Sequence, residues 1–263
     1  SNGIFNAEQA FAVMGVGPQD NIFSIDASVL EQRLQKCPAI RRADVKYQVS
    51  SNPTLIVDID ARIPAAWIDC PELGIHPGDA KYGVLADKDG VMFPCMETVH
   101  MPYIQGKHLP SVSLRPPSSG QLSYGVSTRD LEAPMQLIEL LSGAVSEFLP
   151  GIVSISTPND WSFCVRFSND CQATFSHYGL ERQVDKLEQA LEHARQTHRK
   201  INAINLIGIH VIIDQHPLDL SRATVWEYER EVDMRTAVLY RHACVDMDKG
   251  SLTLDTWRFV SMD

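Results

Sequence analysis

The acidic pair Asp58-x-Asp60 is the first place where residue type and spacing could do chemistry. Two carboxylates separated by one residue lie on the same face of a β-strand with their Cα atoms roughly 7 Å apart, and they could hold a divalent cation. Such pairs more often keep an exposed sheet face soluble, because charged side chains are rarely buried without a partner. We therefore predict no metal at Asp58 and Asp60.

The segment Asp87-x-Asp89-Gly90 has a spacing similar to the start of an EF-hand calcium loop. It lacks the third oxygen ligand and the glutamate that closes such a loop. The apolar runs on its two sides, Tyr82–Ala86 and Val91–Phe93, instead predict a β-hairpin with Gly90 in the turn.

Histidines in the second half of the chain raise the question of a transition-metal site. His193 and His198 lie on a predicted helix at a spacing that points their side chains about 140° apart, so they cannot share one ion as an i, i+4 pair would. We predict surface histidines without a metal. The set comprises His177, His193, His198, His210 and His216.

The sequence contains no pattern that activates a nucleophile or cradles a phosphate. There is no G-x-S-x-G elbow and no C-x-x-C pair. Gly15-x-Gly17 is followed by Pro18 rather than by a helix with a third glycine. We therefore predict no catalytic residue and no cofactor.

Composition indicates a folded protein that does not bind nucleic acid. The 263 residues are 44% hydrophobic and 21% charged, and the chain is long enough for two modest domains. The net charge of −10, with no basic run longer than Arg41-Arg42, argues against contacts with phosphate backbones. No apolar stretch approaches the roughly 20 residues of a membrane-spanning helix.

Cysteine spacing leaves two alternatives open. Cys164 and Cys171 flank a predicted turn at 168–170 and could pair across a hairpin, although buried free thiols are favoured. The six cysteines are Cys37, Cys70, Cys95, Cys164, Cys171 and Cys244.

Residues 26–61 have the clearest periodicity in the chain. Asp26 is a predicted N-cap, Pro38 ends the helix, and Val29, Leu30 and Leu34 are expected on its apolar face. A strand hairpin follows, since apolar residues alternate with polar ones on both sides of a turn at 50–53. Its apolar positions are Ala43, Val45, Tyr47 and Val49, then Leu55, Val57, Ile59 and Ala61.

The remaining segments predict an α+β fold. Asn6 and Gln9 have capping-box spacing and predict an earlier helix with Ala10, Val13 and Met14 on one face. Further predicted helices are 133–149, 180–199 and a short one at 221–231. The apolar stripe of the first is Met135, Ile138, Leu141, Val145 and Phe148, and that of the second is Leu180, Val184, Leu187, Leu191 and Ala194. Predicted strands are 152–156, 161–167, 173–175, a continuous strand from 201 to 213, and a hairpin of 237–247 with 252–260. Within 161–167, Trp161, Phe163, Val165 and Phe167 are expected on one face.

Residues 21–68 resemble the POTRA domain of the FtsQ (DivIB) family of bacterial division proteins. The matching pieces are Asn21–Asp26, Pro38–Val45, Thr54–Ile59 and Ala61–Trp67. The resemblance implies a small POTRA domain at 1–68 with a truncated first strand and a larger domain of mixed or antiparallel sheet with helices on one face at 69–216. Residues 217–263 would then add strands.

The resemblance also implies a function. It predicts a non-catalytic scaffold of the division machinery, anchored in the inner membrane by a segment preceding this chain, with this region on the periplasmic side. Small division proteins similar to FtsB and FtsL would bind by strand addition, unless the C-terminal strands cover the docking edge. The docking residues would be Ile209, His210, Val211, Ile212 and Ile213.

Two other functions remain as alternatives. One is a hydrolase with an unrecognised site on a similar sheet. The other is a POTRA chaperone of secretion or assembly, which is disfavoured because one POTRA unit is visible and no barrel pattern follows it.

Overall fold

The computed structural model of the chain is an α+β protein. It divides into two units, Ser1–Gln136 and Leu137–Asp263, whereas the predicted three-part division at 69 and 217 stays a prediction. The described residues are 3–17, 20–21, 26–48, 54–144, 151–159, 161–196 and 201–207, together with the backbone of short strands at 210–214, 224–227, 238–240, 244–246, 251–253 and 258–260.

The first unit begins with two capped helices. Helix α1, Ala7–Met14, starts at the predicted capping box, in which Asn6 and Gln9 each bond the other's backbone N–H. Helix α2, Ala27–Gln35, is capped by the Asp26 carboxylate, which accepts from the N–H of Ser28 at 2.9 Å. Hydrogen bonds from the Ser28 side chain and, to a smaller extent, from its backbone N–H lower the pKa of Asp26. Leu30 and Leu34 of α2 are fully buried.

One residue that was expected on the apolar face of α2 is exposed instead. Val29 is 40% exposed, so its place on the apolar face was wrong. A residue directly next to Leu30 is turned by about 100° around the helix, which carries it off the stripe formed by Leu30 and Leu34.

The predicted hairpin forms as strands β1, Ile40–Gln48, and β2, Thr54–Ala61, which pair antiparallel. The face that carries Ala43, Val45, Ile59 and Ala61 is buried beneath the helices, as the alternation predicts. Tyr47, near the far end of β1, is 37% exposed, so burial fades with distance from the helices. Val49 and the turn at 50–53 lie outside the described residues.

A four-stranded sheet follows within the first unit. Its order is β6-β3-β4-β5, with β3 and β6 parallel and the other pairs antiparallel. The hairpin of β4 and β5 is the one predicted around Gly90. The strands are β3 (Ala66–Asp69), β4 (Val84–Ala86), β5 (Met92–Pro94) and β6 (Ser111–Ser113).

Helix α3, Glu97–Ile104, was not predicted from the sequence. Pro102 lies inside this short helix, and a proline in that position normally argues against helix. Tertiary packing outweighs this local signal, because Val99, His100 and Ile104 are buried in the core of the unit.

The carboxylate of Asp87 is 1% exposed and is satisfied on both oxygens. Its Oδ1 accepts from the backbone N–H groups of Asp89 and Val91, both at 3.0 Å, which closes the β4–β5 turn. Its Oδ2 accepts from Nη1 of Arg62 at 2.7 Å, and Arg41 lies 3.8 Å from the same oxygen. The calcium-loop alternative is excluded here, since both oxygens serve the turn and the arginines.

The Arg62 side chain extends this network to the first hairpin. Its Nε donates to the carbonyl of Pro38 at 3.0 Å, and its backbone N–H donates to the carbonyl of Ala39 at 2.8 Å. The Arg62–Asp87 pair therefore links the connection between α2 and β1 to the turn between β4 and β5.

We predict that Asp87→Asn lowers the free energy of unfolding by roughly 3 kcal/mol, since it leaves the guanidinium of Arg62, whose side chain is 12% exposed, without its counter-charge. The matched control is Asp89→Asn, whose carboxylate is half exposed and also contacts Arg41. That change should cost about 1 kcal/mol or less. Urea unfolding of both variants checks this, and equal losses would contradict it.

His100 is a fully buried histidine in the same unit. Its Nδ1 accepts from the backbone N–H of Met96 at 2.8 Å, and its ring lies 5.3 Å from the ring of Phe93. The Nε2 atom has no hydrogen-bond partner among the described residues. Burial lowers the pKa of His100 to about 4, so the side chain is neutral at physiological pH.

We predict that the first unit loses stability as the pH falls from about 6.5 to about 4. The unfolded chain takes up a proton at His100 over this window while the folded chain does not, so the loss reaches roughly 3 kcal/mol at its lower end. Denaturant unfolding at a series of pH values measures it.

His100→Asn is the test variant, since its amide oxygen can accept the Met96 N–H without titrating. It should flatten the pH dependence over that window. His76→Asn replaces a histidine that is 60% exposed and should leave the slope unchanged. A slope that persists in the His100 variant would refute the assignment.

Helix α4 spans Arg129–Ala144, whereas the sequence predicted 133–149. Leu131, Met135, Leu137 and Leu141 are buried, so the apolar stripe starts one turn earlier than expected. Residues 145–150 lie outside the described residues.

The second unit contains a three-stranded antiparallel meander and a long helix. Phe163, Val165 and Phe167 are buried, as predicted, and β9 contacts helix α5. Leu180, Val184, Leu187 and Ala194 of α5 are buried too and Leu191 is half-buried, which confirms the predicted stripe. The elements are β7 (Ile152–Asn159), β8 (Ser162–Phe167), β9 (Gln172–Ser176) and α5 (Leu180–Gln196).

The predicted continuous strand from 201 to 213 is wrong. It is two strands, β10 (Ala203–Asn205) and β11 (His210–Asp214), which pair antiparallel with each other. Strand β10 also runs parallel to β9. The amide oxygen of Asn205 accepts from the N–H of Ile207 at 3.0 Å, a local bond that favours a turn over continued strand.

The C-terminal segment extends the sheet. Strand β12, Thr224–Glu227, lies within the predicted helix at 221–231, so that prediction is wrong for these residues, whose β-branched and aromatic side chains favour strand. The predicted C-terminal hairpin is confirmed in its paired parts, since β13 pairs with β16 and β14 with β15. These strands are β13 (Val238–Tyr240), β14 (Cys244–Asp246), β15 (Ser251–Thr253) and β16 (Arg258–Val260).

Within the residues that the structure describes, none of the helices has the length and apolar character needed to cross a membrane.

Candidate functional site

Two aromatic residues of the second unit lie at one end of the β8–β9 hairpin. Trp161 directly precedes β8, and Tyr178 follows β9 by two residues. The backbone N–H of His177 donates to the carbonyl of Trp161 at 3.1 Å, next to the paired residues Ser162 and Ser176. We call Trp161 and Tyr178 the aromatic pair.

Both side chains of the aromatic pair face solvent. Trp161 is 56% exposed and Tyr178 is 83% exposed. The sequence pattern had placed Trp161 on the buried face with Phe163, and that prediction is wrong. The strand begins only at Ser162, so the alternation of faces does not reach Trp161.

The His177 side chain packs against a buried residue of β8 at this end of the hairpin. Its ring meets Phe163 edge-on, with centroids 4.6 Å apart and an interplanar angle of 72°. Its Nε2 atom is buried without a hydrogen-bond partner among the described residues. The prediction of a surface histidine is wrong here, because the residue is half-buried against an aromatic core.

A buried glutamine fixes the connection that presents Tyr178. Gln183, in the first turns of α5, is 5% exposed. Its Oε1 accepts from the N–H of Ser176 at 2.7 Å, and its Nε2 donates to the carbonyl of Tyr178 at 2.7 Å and to the hydroxyl of Ser176 at 3.0 Å. Gly179 then turns the chain into the helix with φ +65°, a conformation that favours glycine.

This arrangement suits binding better than covalent chemistry. Two exposed aromatic rings on a fixed backbone can bury the apolar faces of a ligand. Acid catalysis by a carboxyl group needs a raised pKa, whereas hydrogen bonds from Arg195 and Gln196 lower the pKa of Glu192 in the same unit.

The described cysteines also lack the character of nucleophiles. Cys164 and Cys171 carry free thiols rather than a disulfide, as do Cys37, Cys70 and Cys95. Burial raises the pKa of each of these thiols, and that of Cys95 reaches about 11. A thiol that stays protonated at neutral pH is a poor nucleophile.

The predicted docking strand has neighbours on both sides. His210, Val211, Ile212 and Ile213 lie in β11, between β10 and β12, and Ile209 lies outside the described residues. Strand β12 belongs to the C-terminal segment, but the covering strands considered from the sequence were those of the hairpin at 237–260, not residues 224–227. Protein partners at these residues stay a prediction.

The residues weighed as metal ligands form no cluster in the part of the chain that the structure describes. The described residues contain no group of three or more His, Cys, Asp and Glu side chains arranged to hold an ion. Asp58 faces Asp44 across the hairpin, and Asp60 faces Arg42.

Sequence reasoning missed the aromatic pair and the glutamine that supports it. The signals available in the sequence were a tyrosine, Tyr178, directly before Gly179 and a tryptophan, Trp161, at the start of a predicted strand. Periodicity treats both as ordinary hydrophobic positions, and their proximity depends on the β8–β9 pairing.

Comparison with known protein families found one similarity. Residues 157–263 match the model of the glycosyl hydrolase family 65 N-terminal domain. The match covers less than half of the chain and includes the aromatic pair and α5. No curated protein matches the chain.

This finding overturns the resemblance to the FtsQ family and the division scaffold inferred from it. The physical reason is that a capped helix followed by an alternating hairpin is a common way to cover an apolar sheet face. Asp26, Pro38 and the alternation at 54–61 serve that general purpose. They do not identify a family.

The dependent predictions are corrected with it. The prediction of a protein without enzymatic activity is wrong, because the matched domain points to a glycoside hydrolase family. Inner-membrane anchoring with a periplasmic domain is likewise withdrawn, because it was inferred from the division-protein resemblance that this match contradicts.

We predict that Gln183→Met lowers the free energy of unfolding by roughly 2 kcal/mol, since it leaves the Ser176 N–H without its acceptor and removes one of the two donors to the Tyr178 carbonyl. Gln196→Met is the matched control on the same helix, where the exposed side chain bonds only Glu192. It should change the free energy by about 0.5 kcal/mol or less. Thermal unfolding, with amide exchange at Ser176, measures both; a stable variant with a protected Ser176 amide would refute the role.

Proposed function

We propose that this chain belongs to an enzyme that acts on glycosidic bonds, in which residues 157–263 form an accessory domain of glycosyl hydrolase type. The observation that carries this proposal is the family match over that segment. The hydrolase alternative from the sequence analysis is compatible with it.

The composition of the matched segment in structural elements supports the proposal. Apart from α5, its described elements are all strands, and β8 to β13 follow one another as neighbours in the sheet. A domain built mainly on sheet offers a rigid support for loops that bind a ligand. The aromatic pair lies on such connections.

The described residues are proposed to bind or support rather than to cleave. Cleavage of a glycosidic bond normally uses two carboxyl groups on opposite sides of the bond, one of them with a raised pKa. Among the described residues we assign no such pair. The role proposed for the matched segment is therefore to contribute to glycan contact beside a catalytic centre.

The test uses the full chain with maltotriose, cellotriose and laminaritriose, which share glucose units and differ in linkage. Isothermal titration measures binding, and release of reducing sugar measures cleavage. We expect the chain to bind or cleave at least one trisaccharide. This binding or cleavage activity should coelute with the chain on size exclusion. A chain that neither binds nor cleaves any of them contradicts the proposal, and activity that separates from the chain counts as contamination and contradicts it equally.

A further inference from the structure

We infer that Trp161 and Tyr178 form a subsite that stacks on the sugar rings of a glycan. This inference rests on the proposed function, and it names the residues through which the matched segment contacts carbohydrate. Nothing in the family match assigns a role to either residue.

The first step is the proximity of the two backbone positions. Trp161 and His177 are joined by a backbone hydrogen bond of 3.1 Å, and Tyr178 is the next residue. Residues opposed across a pair of strands have Cα atoms about 5 Å apart, and consecutive Cα atoms are about 3.8 Å apart. The Cα atoms of the aromatic pair therefore lie within about 9 Å of each other, a span suited to adjacent sugar units.

The second step is the chemistry of the exposed surface. A pyranose ring carries hydroxyls around its edge and C–H groups on its faces, so an aromatic ring can bury such a face while the hydroxyls stay in water. Isolated exposed aromatics are ordinary on protein surfaces. Trp161 and Tyr178 differ in that their backbone positions are close, and they are the two exposed aromatic side chains among the described residues of the second unit.

The third step is that the supporting backbone is fixed before any ligand arrives. Gln183 bonds both ends of the connection from Ser176 to Tyr178, and Phe163 packs against His177 on the side of Trp161. A site that is already ordered loses less conformational entropy on binding.

Polar groups lie close enough in sequence to complete the subsite. Glu181 and Arg182 are exposed in the first turn of α5, three and four residues after Tyr178. A carboxylate accepts hydrogen bonds from sugar hydroxyls, and a guanidinium donates to them. Aromatic rings would then supply contact area, and the charged groups would select the orientation of the sugar.

The experiment titrates the full chain with the same three trisaccharides and compares Trp161→Ala and Tyr178→Ala with the parent. We expect each variant to weaken binding of the preferred trisaccharide by about tenfold, as loss of one stacking ring does in other aromatic platforms. The matched control is Tyr82→Ala, since Tyr82 is a tyrosine of the first unit that is 65% exposed. That variant should bind as the parent does.

A second measurement does not depend on the alanine variants folding. In the parent chain, bound trisaccharide should shield Trp161 from acrylamide, and Trp161→Phe should keep binding while losing this change in quenching. The other three tryptophans, Trp67, Trp226 and Trp257, are present in both the parent and Trp161→Phe, so the difference in quenching between the two proteins isolates Trp161.

The outcomes separate the two proposals. If the parent binds or cleaves a trisaccharide and the alanine variants match it, the subsite is overturned while the proposed function stands. The subsite is also overturned if the variants change only the oligomeric state. If the parent neither binds nor cleaves any of the three, both proposals fall.

Discussion

A buried polar side chain must find partners inside the protein, and this constraint determines how the first unit is assembled. Asp87 has almost no access to water, yet its carboxylate accepts from two backbone amides and from Arg62. The cost of removing the charge from water is offset only if all these bonds form together. Because Arg62 also bonds the Pro38 carbonyl, the turn of one hairpin and the start of another must be in place at the same time. The core residues around them then pack in a single arrangement.

The same constraint operates in the second unit, where it positions a surface rather than a core. The side-chain amide of Gln183 is buried, and its described partners are the backbone and hydroxyl of Ser176 and the backbone carbonyl of Tyr178. Satisfying the amide therefore fixes the connection between β9 and α5. The backbone at Tyr178 is thereby fixed near that of Trp161, so a requirement of stability in the interior positions two exposed aromatic residues. The match of this segment to a glycosyl hydrolase domain gives that surface a proposed ligand class.

Local patterns and family identity are separate kinds of information in this chain. The segment 26–61 predicted its own helix and hairpin well, because caps, breakers and alternation act over a few residues. Many unrelated α+β proteins need the same signals, so their agreement with a division-protein domain was not specific. The C-terminal half contains the family match but gave weaker local patterns. Two strands there were predicted as one, and strand β12 was predicted as helix.

The sequence by itself determined the α+β class, the capped helices α1 and α2, the hairpins, and the apolar stripe of α5, since each depends on interactions between neighbours in the chain. Tertiary structure alone decided which exceptions to local preference were tolerated. Helix α3 forms around Pro102 because its apolar side chains are buried, and His100 stays neutral because burial removes its solvent. The aromatic pair exists only because β8 and β9 bring residues 161 and 177 together. No periodicity in the sequence encodes that distance, since it depends on the register of two strands.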